Sequence, residues 1–250
     1  MLPGVNVAET GKLTGMSELE QAVVVVPAHN EVEHLPRSLS ALMAASMRTT
    51  MQVLIVVVLD ACDDGSARLA QRFGPNVHFI STDAGNVGAA RAAGFEYARS
   101  VCAGTDARTW FATTDADTIV GSRWLSQMVE SGADMVLGTV RIPVWRLPVE
   151  VARRYLADYH SDGPGHDHVH GANMGFRADA YWGVGGFRPL ATGEDVDLVE
   201  RFEAAHMSIH RDAKLSVATS ARQDGRAPGG FASHLRQLAR SSRSRKVAET

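Results

Sequence analysis

The chain has 250 residues, 45% of them hydrophobic and 6% aromatic, with a formal net charge of −3. That is enough apolar material for one large domain or two small ones, while near-neutral charge and scarce aromatic rings exclude a nucleic-acid binder built on a basic field or stacking platforms. No apolar run approaches the roughly 18 residues that cross a bilayer, and residues 1–20 lack a signal-peptide stretch. The expectation is a cytoplasmic protein with no transmembrane segment, its Cys62 and Cys102 buried and reduced.

Residues 1–20 mix Gly, Pro, Asn, Glu and Lys and read as a flexible arm. Beyond them the apolar runs 22–26, 53–59 and 77–80 are short and β-branched, as in strands buried on both faces. Stripes of helical spacing alternate with these runs: Leu35, Leu39, Leu42 and Met43, then Ala67, Leu69, Ala70 and Phe73, then Val87, Ala90, Ala93, Gly94 and Tyr97. The alternation predicts an α/β fold with a single, mostly parallel central sheet and helices on both faces. A fourth apolar run, 109–114, ends at Asp115-Ala116-Asp117. Next come a helix over 121–130, a strand over 134–140, a proline-marked stretch over 143–148 and a helix over 149–159. Residues 160–173 are rich in turn formers and carry His160, His166, His168 and His170. They read as a long loop, either a substrate-contacting lid or a solvated segment, with a zinc site as a third option. A short strand at 174–177, a helix at 195–206 and a strand at 209–218 follow. Last comes a basic amphipathic helix over 231–246 with Arg236, Arg240, Arg243 and Arg245, either solvated or in peripheral contact with anionic lipid.

The residues that carry chemistry gather where the strands end. In an extended segment Asp115 and Asp117 point to the same side, roughly 7 Å apart, which suits a divalent cation with a hydroxyl or phosphate beside it. A helix cap is the alternative. They lie at the carboxyl end of a strand, where open α/β sheets bind ligands. Asp60-Ala61-Cys62-Asp63-Asp64-Gly65-Ser66 shares that edge, its acids suited to base or ribose groups, or to capping the next helix. Asn86-Val87-Gly88-Ala89-Ala90-Arg91 opens a helix, so backbone N–H groups, the helix dipole and Arg91 favour an anion such as phosphate. Gly193-Glu194-Asp195-Val196-Asp197 opens a later helix, with acids that serve as a base or simply complement the dipole.

Taken in order, Val23-Val24-Val25-Val26-Pro27-Ala28-His29-Asn30-Glu31, the acidic turn at Asp60, the Asn86–Arg91 stretch, Asp115-Ala116-Asp117, His170-Gly171-Ala172-Asn173, and Gly185-Gly186-Phe187 ahead of Gly193-Glu194-Asp195 resemble the motifs of family 2 glycosyltransferases with the GT-A fold. The likeness covers residues 22–206. It implies an enzyme that moves a single sugar from a nucleotide-diphosphate-sugar donor to an acceptor hydroxyl, metal-dependent and inverting. The acceptor would be a small molecule, a glycan or a lipid-linked molecule, and the chain a possible homodimer. By position, Pro27, Ala28, Asn30 and Glu31 would line the nucleotide pocket, Asp60 would contact the base, and Arg91 the nucleotide or its phosphates. Asp115 would face ribose and metal, and Asp117 would ligate Mg²⁺ or Mn²⁺ on the diphosphate. Asp195 would be the general base, with Glu194 orienting it or the acceptor. His210 would supply a third metal ligand, with Arg222 or Arg226 as alternative holders of the diphosphate. The implied domain spans 21–225, with a nucleotide-binding half at 21–118, an acceptor half at 119–225 and a basic tail at 226–250.

Two departures matter. Ala61-Cys62 separate Asp60 from Asp63-Asp64-Gly65-Ser66, which leaves open the acid that meets the base. The Q-x-x-R-W motif of processive synthases is absent, which favours a single-transfer enzyme; Arg153-Arg154-Tyr155 is no substitute. A rival reading takes Asp115-Ala116-Asp117-Thr118 as the nucleophile motif of haloacid-dehalogenase-type phosphatases. A long α/β stretch precedes it, however, and the only lysines are Lys12, Lys214 and Lys246, none between Asp115 and Gly193. A nucleotidyltransferase would show a glycine-rich, basic loop after the first strand, where Pro27-Ala28-His29-Asn30-Glu31 has neither. A non-catalytic nucleotide-sugar-binding protein is the remaining class, and Asp117 and Asp195 argue against it.

Overall fold

The computed structural model describes residues 19–142, 149, 153, 166–190 and 192–220. The expected arm over most of 1–20, the 149–159 helix apart from two of its residues, His160, Arg222, Arg226 and the basic 231–246 helix lie outside the described residues. In chain order the elements are β1 (Gln21–Ala28), α1 (Leu35–Ser46), β2 (Gln52–Asp60), a 3₁₀ helix (Ser66–Arg72), β3 (Val77–Thr82), α2 (Val87–Val101), β4 (Thr109–Thr113), α3 (Trp124–Glu130), β5 (Met135–Arg141), β6 (Met174–Arg177), α4 (Ala178–Gly183), α5 (Glu194–Ala204) and β7 (Ile209–Ala218).

The strands form one seven-stranded sheet in the order β3-β2-β1-β4-β6-β5-β7. Neighbours run parallel except around β6, which is antiparallel to both β4 and β5. The β-branched runs of β1 and β2 are buried on both faces, as helices cover each side. Val24, Val26, Ile55 and Val57 pack with α1 and α3 through Leu35, Leu39, Leu42, Trp124 and Met128. The alternate residues Val23, Val25, Val56 and Val58 pack with α2, α4 and α5 through Phe95, Tyr181, Leu198 and Phe202. Helix α2 lies flush on the sheet: a Cβ added at Gly94 would sit 2.5 Å from Val25 Cγ1. Any larger residue would lift the helix that delivers Arg91.

Three local outcomes differ from the periodicity. The stripe after β2 is a 3₁₀ helix and not an α-helix, since only Ser66 and Leu69, three residues apart, are buried before Gly74-Pro75 halts it. Helix α4 has no counterpart in the reading of the sequence, because six residues hold too few turns to show a stripe. The cysteines are free thiols, but half-buried. Among the described residues no helix is long and apolar enough to cross a membrane.

β5 and β7 change register between Gly138 and Thr139. Fully buried Asn173 plugs this irregularity, its Nδ2 donating to the carbonyls of Thr139 (2.9 Å) and Leu215 (2.8 Å) while Oδ1 accepts from Trp124 Nε1 (2.8 Å). Buried polar groups of this kind are normally hydrogen-bonded, and Asn173 serves all three. The start of β6, and with it Gly171, is thereby fixed to the sheet.

Candidate active site

β1, β2 and β4 end at one edge of the sheet. There Ala28 is buried, Pro27 half-buried, and Asn30 adopts a left-handed backbone conformation with φ +54°. The Asn30 side-chain oxygen accepts from Asp63 N–H (2.8 Å), and Cys62 Sγ donates to the Ala28 carbonyl (3.2 Å), so the loops after β1 and β2 are laced together. Glu31 is buried and pairs with His34 (3.0 Å) at the start of α1.

The acids after β2 divide their labour. Asp60 is buried, and its two oxygens accept from the backbone N–H groups of Gly85 (3.0 Å) and Asn86 (2.9 Å). Asn86 in turn caps α2 by accepting from Ala89 N–H (3.0 Å). Asp64 accepts from Val32 N–H (2.8 Å) and from the Ser66 backbone (2.9 Å) and hydroxyl (2.6 Å). Burial would raise the Asp64 carboxyl, but the Ser66 hydroxyl and these N–H donors outweigh it and hold it below its ordinary value. Asp60 and Asp64 therefore fasten loops, and Asp63 is the acid of this turn whose side chain stands exposed.

Arg91 is the centre of the site. It is 2% exposed, with Nε donating to Thr113 Oγ1 (3.2 Å), Nη2 to Asp115 Oδ1 (2.8 Å) and Nη1 to Glu194. Its guanidinium lies over the Phe187 ring, 5.6 Å from the centroid. The sequence reading gave Arg91 to the nucleotide. The structure instead buries it among protein acids, because α2 is held so close that Gly88 meets the Arg188 carbonyl and Gly171 meets the guanidinium, each within the reach of an added Cβ (2.2 and 2.5 Å). Burial alone would lower the Arg91 guanidinium, but Asp115, Glu194 and Asp195 hold it above its ordinary value. The Asp115 carboxyl is pushed up to about 6 by burial, against the pull of Arg91, with Asp117, Glu194 and Asp195 adding repulsion. Its side chain keeps 41% of its surface open, so solvent softens this penalty.

Asp195 stands at the start of α5 beside Glu194. One oxygen accepts from Gly171 N–H (2.8 Å) and the other from Val196 N–H (2.9 Å), which fixes its orientation. The glycine turn ahead of it places Phe187 under Arg91, with Phe187 N–H donating to Tyr181 Oη (2.9 Å). Asp117 is bonded on its other flank by Thr219 Oγ1 (3.3 Å). His210 is not brought to this pair: it lies beside Val136 near the start of β7, eight positions before Ala218 and so roughly 25 Å along the strand from the Asp117 end. The rings of His166, His168 and His170 stack at centroid spacings of 5.9 and 5.7 Å, with His166 buried against the Leu137 carbonyl (3.2 Å). Among the described residues no group of three or more His, Cys, Asp or Glu is placed to hold a metal. Sequence reasoning missed Thr113, Thr219 and the backbone of Gly171. For Gly171 the glycine in His170-Gly171-Ala172-Asn173 was the available signal; the two threonines carried none.

The donor set has a clear charge preference. Four carboxylates, Asp115, Asp117, Glu194 and Asp195, act on one another around a single guanidinium, and Asp115 resists ionising there. A rim of this charge would suit a cation rather than an anion, and a cation held by only one or two carboxylates, the rest of its shell coming from phosphates, is the usual case for Mg²⁺.

A mixed sheet with acids converging at its carboxyl edge is an α/β architecture of the kind that takes ligands at that edge, and the solved structures it superposes on make this the GT-A fold. The chain belongs to glycosyl transferase family 2, whose model matches residues 23–185. Among structures, S. aureus TarS residues 1–349 in complex with UDP-GlcNAc matches with a TM-score of 0.61 at 15% identity, over 84% of this chain and 61% of that one. The mannosyltransferase PcManGT from Pyrobaculum calidifontis, in complex with GDP-Man and Mn²⁺, matches with a TM-score of 0.56 at 15% identity, over 84% of this chain and 59% of that one. The chain thus spans less than two thirds of those structures. No curated protein matches it in sequence.

Proposed function

We propose that the chain transfers one sugar from a nucleoside-diphosphate donor to an acceptor hydroxyl, by a single displacement that inverts the anomeric carbon and uses Mg²⁺ or Mn²⁺. The observation that carries this is the Asp115–Arg91–Glu194 linkage, which ties Asp115, just beyond β4, and Glu194, the neighbour of Asp195, to one guanidinium. Family membership and the nucleotide sugars bound by the two structural relatives support the donor class.

In this reading Asp63 and the edge formed by Pro27, Ala28 and Asn30 receive the nucleoside, and Asp115 and Asp117 receive the cation and diphosphate. The cation, when bound, neutralises charge growing on the leaving diphosphate. Asp195, oriented by Gly171 N–H, takes the proton of the acceptor hydroxyl. The acceptor oxygen forms the new bond to the anomeric carbon as the bond to phosphate breaks and its electron pair leaves with the nucleoside diphosphate. General-base assistance of this kind is worth about 10² to 10⁴ in rate. Arg91 does not touch the sugar; it holds Asp115 and Glu194 in register.

The test compares Asp117→Asn with Asp195→Asn, each assayed for Mn²⁺-dependent nucleoside-diphosphate binding by thermal shift and for transfer from a panel of nucleotide sugars. Asp117→Asn should lose metal-dependent binding and transfer together, whereas Asp195→Asn should retain binding and lose transfer. Full transfer by either variant removes the role assigned to that residue.

A further inference from the structure

We propose that Thr219 is a positioning residue for Asp117, setting the carboxylate that meets the cation; this rests on the donor role proposed above. Asp117 lies just beyond β4 and Thr219 just beyond β7, more than a hundred residues later, yet Thr219 Oγ1 donates to Asp117 Oδ1 at 3.3 Å. The hydroxyl of Thr118, fully buried, points at the same Thr219 oxygen at 3.1 Å, completing a relay Thr118 to Thr219 to Asp117.

Thr219 does not take its place from Asp117. Its own N–H donates to the Arg141 carbonyl (3.0 Å) at the end of β5. The residue before it forms a two-bond bridge with Ile119, Ile119 N–H to the Ala218 carbonyl at 2.8 Å and Ala218 N–H to the Ile119 carbonyl at 3.0 Å. The threonine is thus anchored by the end of β5 and by the Ile119–Ala218 bridge before its side chain reaches the carboxylate. A hydroxyl fixed in this way selects one orientation of the Asp117 side chain. A cation bound through few protein ligands depends strongly on that orientation, because misdirected carboxylates must be reordered on binding.

The test uses Thr219→Ala and Thr219→Ser in the full chain. Both lack the methyl group, so they share any packing loss and differ only in the hydroxyl. The readout is Mn²⁺ affinity, from loss of the free-ion paramagnetic resonance signal, measured with UDP, GDP, CDP, ADP and TDP in turn, alongside the melting temperature of each variant. Thr219→Ala should bind Mn²⁺ about tenfold more weakly than Thr219→Ser, the scale of one hydrogen bond to a charged group, and Thr219→Ser should stay close to the unaltered chain. Equal Mn²⁺ affinity of the two variants overturns the proposal. If Asp117→Asn abolishes Mn²⁺ binding while the two Thr219 variants are equal, the positioning role alone fails. If Asp117→Asn binds Mn²⁺ normally, or the unaltered chain binds none with any nucleotide, the donor reading fails with it.

Discussion

Replacing Arg91 by Met should destabilise the fold by about 3 to 5 kcal/mol, the cost of leaving buried acids without their counter-charge. The structure supports that range: the guanidinium is nearly inaccessible and donates to Thr113, Asp115 and Glu194. For a domain of this size the loss corresponds to a fall in Tm of about 10 °C. The pH dependence makes the prediction sharper. The Asp115 carboxyl titrates at about 6 in the folded chain against an ordinary 3.8, so the native state holds the proton more readily than the unfolded state. Its contribution to stability therefore falls as pH rises through that window and is least favourable above it. Among the described residues Arg91 is the neighbour that pulls the Asp115 carboxyl down, so removing it moves the window upward and deepens the loss. Circular dichroism melts of Arg91→Met should show a larger deficit at pH 8 than at pH 5. Adding Asp115→Asn and Glu194→Gln to Arg91→Met should recover much of it. A deficit below about 1 kcal/mol, or one independent of pH, would refute the view of Arg91 as a buried counter-charge.

Two further outcomes follow from the division of acids and the plugged register shift. Asp63→Ala should weaken nucleoside-diphosphate binding in calorimetry with little change in melting temperature, while Asp60→Ala should lower the melting temperature by several degrees because the Gly85 and Asn86 N–H groups lose their acceptor; the reverse pattern would show that Asp60 meets the nucleoside. Asn173→Ala removes three buried hydrogen bonds, those to the Thr139 and Leu215 carbonyls and from the Trp124 N–H, and should cost about 3 kcal/mol in urea unfolding; a cost near zero would mean that the β5–β7 irregularity closes without it.

Much of the frame was legible because β1 and β2 are β-branched runs and α1 and α2 carry their own stripes, signals that need no distant partner. β7 was located at its observed bounds. The direction of β6 was not legible: four residues, Met174–Arg177, carry no mark of antiparallel pairing, which is decided by the strands on either side. The candidate site divides along a similar line. Asp115, Asp117, Glu194 and Asp195 were recognisable from their places at element ends, and the structure gathers them. Asp60 and Arg91 have the residue types of ligand contacts but spend their charge inside the protein, a distinction of burial that residue type cannot convey. Thr219 had no local signal at all, since its relevance depends on a contact spanning most of the chain.

The reversed direction of β6 has a consequence for variation. Met174, its first residue, lies opposite Thr113, the last residue of β4, so β6 begins at the very edge where β5 runs out. Arg141 at the end of β5 and Met174 at the start of β6 therefore lie on the same rim, the one that carries Gly171 and Asp195. Had β6 run parallel, one end of that connection would have been rooted on the far side of the molecule. As built, both its ends are rooted on the rim that carries Asp115 and Asp195, and residues added between them would enter and leave on the side of the carboxylates.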